Sequence, residues 1–452
     1  MKNTRRDFLK TAGMGLAAAS LSPAFSSGQG AEGGKRPNVL FISIDDLNDW
    51  VGCLRGHPDV KTPNLDRFVE RGMLFTRAYC AAPVCNPSRA AIMSGIRPST
   101  SGVYTNAMPW RESPVLADAV TLPQHFMAHG YRAMGAGKIY HGTFPDPPSW
   151  DEYWPNQLKT KPDDPRLSEK PPGSRGGFTW GPVRNPNQDM GDWQVADWIS
   201  DRLQKEHEQP FFLACGIFRP HLPWVVPQEY FDMYPLEHVS LPLVNENDLD
   251  DVPEAGRIMR IQSDHPHITG AGAWRKAVQG YLASISFADA CLGRVIDALD
   301  KSPHRDNTVV VLWSDHGWHL GEKLHWRKAV LWEEATHNVM FMMAPGVTRP
   351  HQRCDAPVNL LDVYPTLIDL CGLKEKPELE GVSLLPLLKN PDADWERPSV
   401  TTFKYNNHSV RSRDWAISGT RTVPKNSMTT AWTRTNGTTW RPSRGTRASK
   451  RN

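Results

Sequence analysis

Three runs of apolar residues in this chain are continuous rather than alternating, and each run ends in a group of polar residues. The runs cover residues 38–44, 211–217 and 308–313. Continuous apolar runs of this length are typical of strands in a parallel sheet, because helices cover such strands on both faces. The polar groups that follow them are Asp45-Asp46, Arg219-Pro220-His221 and Asp315-His316.

Helical patterns lie between these strands. Thr62-Pro63 begins a helix that Gly72 ends, and apolar residues at helical spacing cover 276–299 and 360–371. Strands that alternate with helices predict an α/β fold with a mostly parallel sheet flanked by helices. Ligand sites in such sheets lie at the carboxyl ends of the strands, so the three polar groups are expected to share one site.

Two segments lack this regular pattern. Residues 143–192 are dense in Pro, Gly, Trp and Asn, and we interpret them as a long ordered loop region over the sheet, whose tryptophans serve packing first. From Trp415 the chain is rich in Thr, Arg, Gly and Ser, a composition that cannot build a packed core. We interpret 415–452 as an atypical basic tail that either arises from a shifted reading frame, or has diverged, or is disordered.

Charge is distributed unevenly along the chain. The formal net charge is +3, but residues 411–452 hold ten Lys or Arg and a single acid, Asp414. The rest of the chain has no basic stripe with interleaved aromatic residues, which is the pattern that follows a phosphate backbone. We therefore expect no nucleic-acid partner.

The amino terminus has the pattern of an export signal. Arg5-Arg6 lies in the run Thr4 to Lys10, and a mild apolar run from Ala12 to Leu21 follows it. This arrangement predicts a twin-arginine signal peptide over residues 1–30, the twin-arginine machinery as a partner, and a periplasmic or extracellular location. The apolar run is shorter than the roughly 20 residues of a spanning helix, so no stable membrane anchor is expected.

The acidic pairs at the strand ends suggest a metal site. Adjacent aspartates after one strand are more often a cap or a turn than a set of ligands. Asp315-His316 after a second strand changes this balance, because two acidic pairs at neighbouring strand ends can converge on one cation. Carboxylate oxygens suit Ca²⁺ or Mg²⁺.

Cys85 is one of seven cysteines, which show no CxxC spacing of a zinc site. It precedes a short predicted helix over residues 88–93, whose amino terminus favours an anion. A cysteine in isolation is more often a buried structural thiol. Its neighbours decide the interpretation.

The run Cys85-Asn86-Pro87-Ser88-Arg89, with Gly95 and Arg97-Pro98 after it, resembles the motif of type I sulfatases, whose cysteine is oxidised to formylglycine. The resemblance covers about residues 36–400 and is closest to iduronate-2-sulfatase-like enzymes, because of His316 and residues 320–328. Further segments that recur in that family in this order are Arg36-Pro37-Asn38-Val39-Leu40, Thr62-Pro63-Asn64-Leu65-Asp66, Gly137-Lys138-Ile139-Tyr140-His141, Arg219-Pro220-His221-Leu222-Pro223 and Ser314-Asp315-His316-Gly317-Trp318.

The resemblance implies a fold, a reaction and a maturation step. It implies an alkaline-phosphatase-like catalytic domain over residues 36–372 and a smaller C-terminal subdomain that starts at 373–414 and is incomplete or divergent here. The implied reaction is hydrolysis of sulfate esters, with a sulfated carbohydrate as substrate. A formylglycine-generating maturation enzyme is then a required partner.

The resemblance also implies roles for particular residues. Asp45, Asp46, Asp315, His316 and the modified Cys85 would hold one Ca²⁺. Arg89 would stabilise the hydrated aldehyde, and His141 would take the proton that drives sulfate release. Lys138 and Lys328 would neutralise sulfuryl oxygens, and His221 and Lys328 are the candidates for protonating the leaving oxygen.

Three alternatives remain open from the sequence. The chain could be a phosphonate or phosphate-ester hydrolase of the same superfamily, because some of those enzymes also carry formylglycine. It could also be a non-catalytic binder of sulfated glycans. Trp110-Arg111, which follows the cysteine-bearing helix, could meet the substrate or simply pack in the core.

Overall fold

The computed structural model describes residues 36–158, 178–250, 252–422 and 429–434, with the backbone alone from residue 420 onward. The predicted signal peptide lies outside the described residues, as do residues 435–452 of the tail. Within the part of the chain that is described, no helix has both the length and the apolar character needed to cross a membrane.

The strands are short and are numbered here in chain order. They are β1 (Asn38–Ile44), β2 (Met73–Tyr79), β3 (Arg132–Gly137), β4 (Glu152–Trp154), β5 (Trp180–Val183), β6 (Phe211–Ile217), β7 (Trp224–Pro227), β8 (Thr308–Ser314), β9 (His319–Leu320), β10 (Trp326–Arg327), β11 (His337–Met343), β12 (Gln352–Cys354), β13 (Val358–Asn359), β14 (Ser399–Thr402), β15 (His408–Arg411), β16 (Ala416–Thr422) and β17 (Thr429–Arg434).

The helices vary widely in length. They are α1 (Pro63–Val69), α2 (Cys85–Ser94), α3 (Pro98–Ser101), α4 (Leu122–Ala128), α5 (Gly191–Gln204), α6 (Gln228–Asp232), α7 (Glu254–Arg257), α8 (Asp264–Gly270), α9 (Trp274–Lys301), α10 (Glu333–Thr336), α11 (Val363–Leu370) and α12 (Leu385–Lys389). Short 3-10 turns cover Trp110–Glu112, Pro147–Ser149, Asn187–Asp189, Leu236–His238, Arg305–Asn307, Glu322–Leu324 and Leu360–Asp362.

The main sheet has nine strands in the order β12-β2-β11-β8-β1-β6-β3-β4, with β13 also paired to β2. Strand β11 is antiparallel to both neighbours, and the other pairs are parallel. The predicted mostly parallel sheet is therefore confirmed. The three strands predicted from apolar runs are neighbours, because β1 lies between β8 and β6.

Helices cover both faces of this sheet. Leu40 and Ile42 of β1 point into a core that includes residues of α1, α5 and α9. Val39 and Phe41 point to the opposite face, into a core with residues of α2, α4, α11 and α12. This alternation explains why the strand is apolar throughout, since each successive side chain is buried on one face or the other.

The register brings the strand ends together. Ile44, the last residue of β1, is opposite Ile217 of β6 and Ser314 of β8. The residues that follow these three strands therefore leave the sheet at the same edge. This edge is where the predicted acidic pairs meet.

Regular structure also occurs where the sequence pattern predicted none. Strands β4 and β5 lie in the region interpreted as a loop, and β4 pairs with the edge of the main sheet. Beyond Trp415, β16 and β17 continue the antiparallel sheet β14-β15-β16-β17. Cross-strand pairing supplies the backbone hydrogen bonds of β16 and β17, so their composition alone was a poor guide.

Candidate active site

Two tight turns carry the acidic pairs. Asp45 and Asp46 follow β1, and Asp315 and His316 follow β8; all four residues are buried. The backbone N–H of Asp46 donates to Oδ1 of Asp315 over 3.1 Å. Asp46 has a φ of 60°, a left-handed conformation that is uncommon for residues other than glycine. The predicted convergence of the two acidic pairs is thus present in the structure.

Cys85 is the first residue of α2, and its thiol lies against these turns. All ten residues of this helix are buried. The Sγ atom is 3.1 Å from Nζ of Lys328, 3.3 Å from Nε2 of His316 and 3.8 Å from Nζ of Lys138. It is 3.9 Å from Oδ1 of Asp46. Residue 85 is therefore the point at which the nitrogen and oxygen groups of the site meet.

Arg89, one helical turn after Cys85, ties the site together. Its guanidinium donates from Nε to Asp315 at 3.0 Å and from an Nη to Asp45 at 2.9 Å. The other Nη donates to the carbonyl oxygens of Lys138 and Ile139 at 2.7 and 2.8 Å. The side chain is fully buried, so these contacts are not screened by water.

Two lysines bring positive charge to the buried carboxylates. Lys138 makes an ion pair with Asp45, and Lys328 makes one with Oδ1 of Asp46 at 2.6 Å. Burial alone would raise the pKa of Asp45, but the cations of Lys138 and Arg89 outweigh it and hold that pKa well below its usual range. Asp45 is thus an anion throughout the physiological pH range.

Lys328 reaches the site from an unusual backbone segment. Its neighbours Arg327 and Ala329 have φ values of 75° and 71°. Non-glycine residues in this conformation cost about 1 kcal/mol or more each and occur most often where function requires a particular side-chain direction. Burial would lower the pKa of Lys328, but Asp46 more than offsets this and raises it above its usual value.

The predicted histidines lie at the site as neutral bases. Nε2 of His221 is 3.7 Å from Oδ2 of Asp46, and its Nδ1 donates to the carbonyl of Leu222 at 2.6 Å. Burial lowers the pKa of His221 well below its usual value. Burial and the nearby Lys138 lower the pKa of His141 to about 4. A neutral imidazole can accept a proton, which suits the role predicted for His141.

The carboxylates form a cluster that fits a hard cation. Ligand atoms of Asp46, Cys85, Asp315 and His316 lie within 4.8 Å of one another, and those of Asp45, Asp46 and His221 form a second such group. Oδ2 of Asp46 is buried and has no hydrogen-bond partner among the described residues. Burial raises the pKa of Asp46 to about 7, because an ionised carboxylate here lacks sufficient positive charge. A bound cation would supply that charge.

A cleft of about 630 Å³ opens beside this cluster. Among the described residues, its lining includes the basic side chains of His221, Arg327 and Lys328, and no carboxylate. The apolar part of the wall includes Leu222, Pro223, Ile261 and Trp318. A ligand in this cleft would have an anionic group against Lys328 and an apolar face against the wall.

Trp110 and Arg111 do not belong to this cleft. The indole of Trp110 is buried and stacks on Tyr140 with ring centroids 5.5 Å apart. Arg111 donates to both carboxylate oxygens of Asp146, at 3.0 and 2.9 Å. Trp110 therefore packs in the core, and Arg111 is in an ion pair with Asp146.

Some residues that shape the site were missed from the sequence. The Ser88 hydroxyl donates to the carbonyl of Asp315 at 2.6 Å, and Nε2 of His325 lies 3.1 Å from the carbonyl of Lys328. Both contacts hold the backbone of residues that carry functional side chains. Ser88 lies inside the cysteine motif, so its place near the site was readable, whereas no sequence signal identified the contact of His325.

Lys328→Met tests the role that the resemblance to type I sulfatases implies for this lysine: kcat/KM for a sulfate ester should fall about 100-fold, because a positive charge that would face the reacting group is removed. Lys323→Met is a matched control, since both lysines are 14% exposed and Lys323 pairs with Asp248 at 2.7 Å outside the cleft lining. Steady-state kinetics of both variants checks this. Equal losses in the two variants would contradict the role of Lys328.

A family model and two sequence relatives show which family this chain resembles. The family model described as Sulfatase matches residues 37–373. A protein named Sulfatase from Formosa agariphila is 39% identical over 393 residues, covering 83% of this chain and 77% of that protein. Iduronate 2-sulfatase from Homo sapiens is 30% identical over 388 residues, covering 75% of this chain and 70% of that protein.

A solved structure supports the fold. A phosphonate monoester hydrolase from Silicibacter pomeroyi superposes with a TM-score of 0.71 at 21% identity, over 89% of this chain and 90% of that one. At this identity the likeness concerns the fold alone.

The chain belongs to the sulfatase family, and it is a sulfuric ester hydrolase. The predicted family, enzyme class and alkaline-phosphatase-like fold are thereby confirmed.

Proposed function

We propose that this sulfatase hydrolyses sulfate esters of carbohydrates with a formylglycine made from Cys85 and one Ca²⁺. The observation that carries the proposal is the position of Cys85, whose thiol lies within 4 Å of two lysines, a histidine and an aspartate. Asp45, Asp46, Asp315, His316 and residue 85 would hold the ion. The hydrated aldehyde would supply a hydroxyl nucleophile, and the ion would draw negative charge from the sulfuryl oxygens.

The remaining residues act around that centre. Lys138 and Lys328 direct their ammonium groups at residue 85, so they hold a sulfate group over it and neutralise its oxygens. Arg89 fixes the two carboxylates of Asp45 and Asp315 in place. His141 accepts a proton in the step that releases sulfate, for which its low pKa keeps it neutral.

The leaving group lies on the cleft side. His221 and Lys328 both line the cleft, so either can reach the ester oxygen between sulfur and the rest of the substrate. His221 is neutral in the free site, and the negative charge of a bound sulfate would favour its protonation. His221 then donates a proton from Nε2 to the ester oxygen, and the rest of the substrate departs as an alcohol.

The cleft favours a sulfated sugar. Apolar residues such as Leu222 and Trp318 offer a surface for a carbohydrate ring, and the basic residues suit a substrate with more than one anionic group. Human iduronate 2-sulfatase is among the relatives, so a sulfated uronate is a specific candidate.

Maturation would come before folding is complete. Because α2 is buried along its whole length, a maturation enzyme could not reach Cys85 in the folded protein. The twin-arginine route exports folded proteins, so we propose oxidation in the cytoplasm followed by export to the periplasm or beyond.

The test combines mass spectrometry of the peptide that contains residue 85 with assays of sulfate release. Protein co-expressed with a formylglycine-generating enzyme should show an aldehyde at residue 85. It should release sulfate from sulfated sugars including iduronate 2-sulfate, lose that activity on chelation and regain it with Ca²⁺. A thiol at residue 85 in active protein would contradict the formylglycine. Activity unchanged by chelation would contradict the ion, and faster hydrolysis of phosphate esters would contradict the sulfated substrate.

A further inference from the structure

A tyrosine outside the family motif holds the backbone of Asp46. Tyr281 lies in the amino-terminal third of α9, and its side chain is fully buried. Its hydroxyl donates to the carbonyl oxygen of Asp46 at 2.7 Å and accepts from the backbone N–H of Asn48 at 3.1 Å. Both hydrogen-bonding capacities of the phenol are therefore used on the turn that carries two acidic side chains.

We propose that Tyr281 is a positioning residue that fixes the turn at Asp46 and thereby sets the affinity of the site for its cation. This inference rests on the proposed calcium site. Two features of the turn are unfavourable on their own, the backbone conformation of Asp46 and the closeness of like-charged carboxylates. Asp46 is in the left-handed conformation, with φ at 60°, and its carboxylate lies among those of Asp45 and Asp315. Without the phenol, the cation-free turn would relax, and cation binding would have to restore it.

The contact extends to the second ligand-bearing turn. The N–H of Leu47 donates to Oγ of Ser314 at 3.1 Å, and that hydroxyl donates to the carbonyl of His316 at 2.9 Å. The turns after β1 and β8 are thus linked through Ser314. A shift at Asp46 would therefore disturb Asp315 and His316 as well.

The tyrosine ring is itself fixed by packing. Tyr281 makes edge contacts with Trp50 and Trp224, at centroid distances of 5.6 and 5.5 Å. Phenylalanine can keep both contacts, so Tyr281→Phe removes the two hydrogen bonds while retaining the ring. Tyr131→Phe is the matched control, because the buried Tyr131 hydroxyl donates to the carbonyl of Pro37, which precedes the opposite end of β1.

The experiment measures calcium binding to chelator-treated, matured full-length protein by titration calorimetry. Tyr281→Phe should bind Ca²⁺ about five- to tenfold more weakly than wild type, the size expected when cation binding has to supply the free energy of about one of the two lost hydrogen bonds. Tyr131→Phe should bind it as wild type does. Equal affinity in wild type and Tyr281→Phe would overturn the inference, and so would equal losses in the two variants.

A second readout separates positioning from stability. The rise in Tm on addition of Ca²⁺ should be smaller in Tyr281→Phe than in wild type and unchanged in Tyr131→Phe. A purely structural role would lower the Tm of the free and loaded forms equally, which would overturn the inference. Wild-type protein that takes up no Ca²⁺ would instead contradict the proposed calcium site, and this inference with it.

Discussion

Cys85→Ala is expected to abolish sulfate release while leaving the protein folded. Alanine has no sulfur to oxidise, so the nucleophile is lost, and kcat should fall at least about 10⁴-fold. The change removes one buried atom at the start of α2, so we expect a loss of unfolding free energy of about 1 kcal/mol. Sulfate release and urea unfolding, measured on the same preparation, check both parts.

Cys215→Ala is the matched control. Cys215 is buried in β6 next to β1, and its thiol belongs to the apolar core rather than to the site. This variant should keep its activity and show a similar small loss of stability. Residual activity of Cys85→Ala within tenfold of wild type would contradict a nucleophile at residue 85.

The geometry of the site was largely predictable because of where the strands end. The continuous apolar runs identified β1, β6 and β8, and parallel strands place their carboxyl ends at one edge. The meeting of Asp46 with Asp315 follows from that rule. The sequence pattern did not specify that β1 lies between the other two strands, but any arrangement of neighbouring strands would bring the acidic pairs close.

The supporting contacts were not predictable in this way. The hydroxyl of Tyr281 and the carbonyl of Asp46 are 235 residues apart in sequence, and nothing in the apolar pattern of α9 distinguishes this tyrosine from a core residue. The antiparallel direction of β11 was equally hidden, because a buried strand has the same composition in either direction. Such features depend on tertiary packing, which local patterns do not record.

The carboxyl-terminal strands show the same limit. Residues 416–419 of β16 pair with β15 through backbone hydrogen bonds, although the sequence here lacks the alternation that predicts a strand. A neighbouring strand with free backbone groups can recruit such a segment. Composition therefore indicated the change of character after Trp415 but not the structure formed there.

Arg89→Met is expected to lower the free energy of unfolding of chelator-treated protein by about 3–5 kcal/mol. The guanidinium of Arg89 is fully buried and bonded to both Asp45 and Asp315. Removing it leaves two buried carboxylates, and Lys138 is then the remaining ion-pair partner of Asp45 among the described residues. Desolvated charges that lose a partner cost far more than exposed ones, which water can stabilise.

Urea unfolding with Arg67→Met as control checks this expectation. Arg67 makes an ion pair with Asp297 at 2.6 Å, but the two side chains are 47% and 53% exposed. Its replacement should cost less than about 1 kcal/mol. Similar losses in the two variants would contradict the claim that Arg89 compensates the buried acidic charge.

Arg89→Lys separates charge from geometry. An ammonium group keeps the positive charge but cannot bond Asp45, Asp315 and the carbonyl of Lys138 together as the planar guanidinium does. If charge alone held the carboxylates, Arg89→Lys would be nearly as stable as wild type. We expect its free energy of unfolding to lie between those of wild type and Arg89→Met, because the planar guanidinium of Arg89 fixes the directions of the two carboxylates as well as neutralising them.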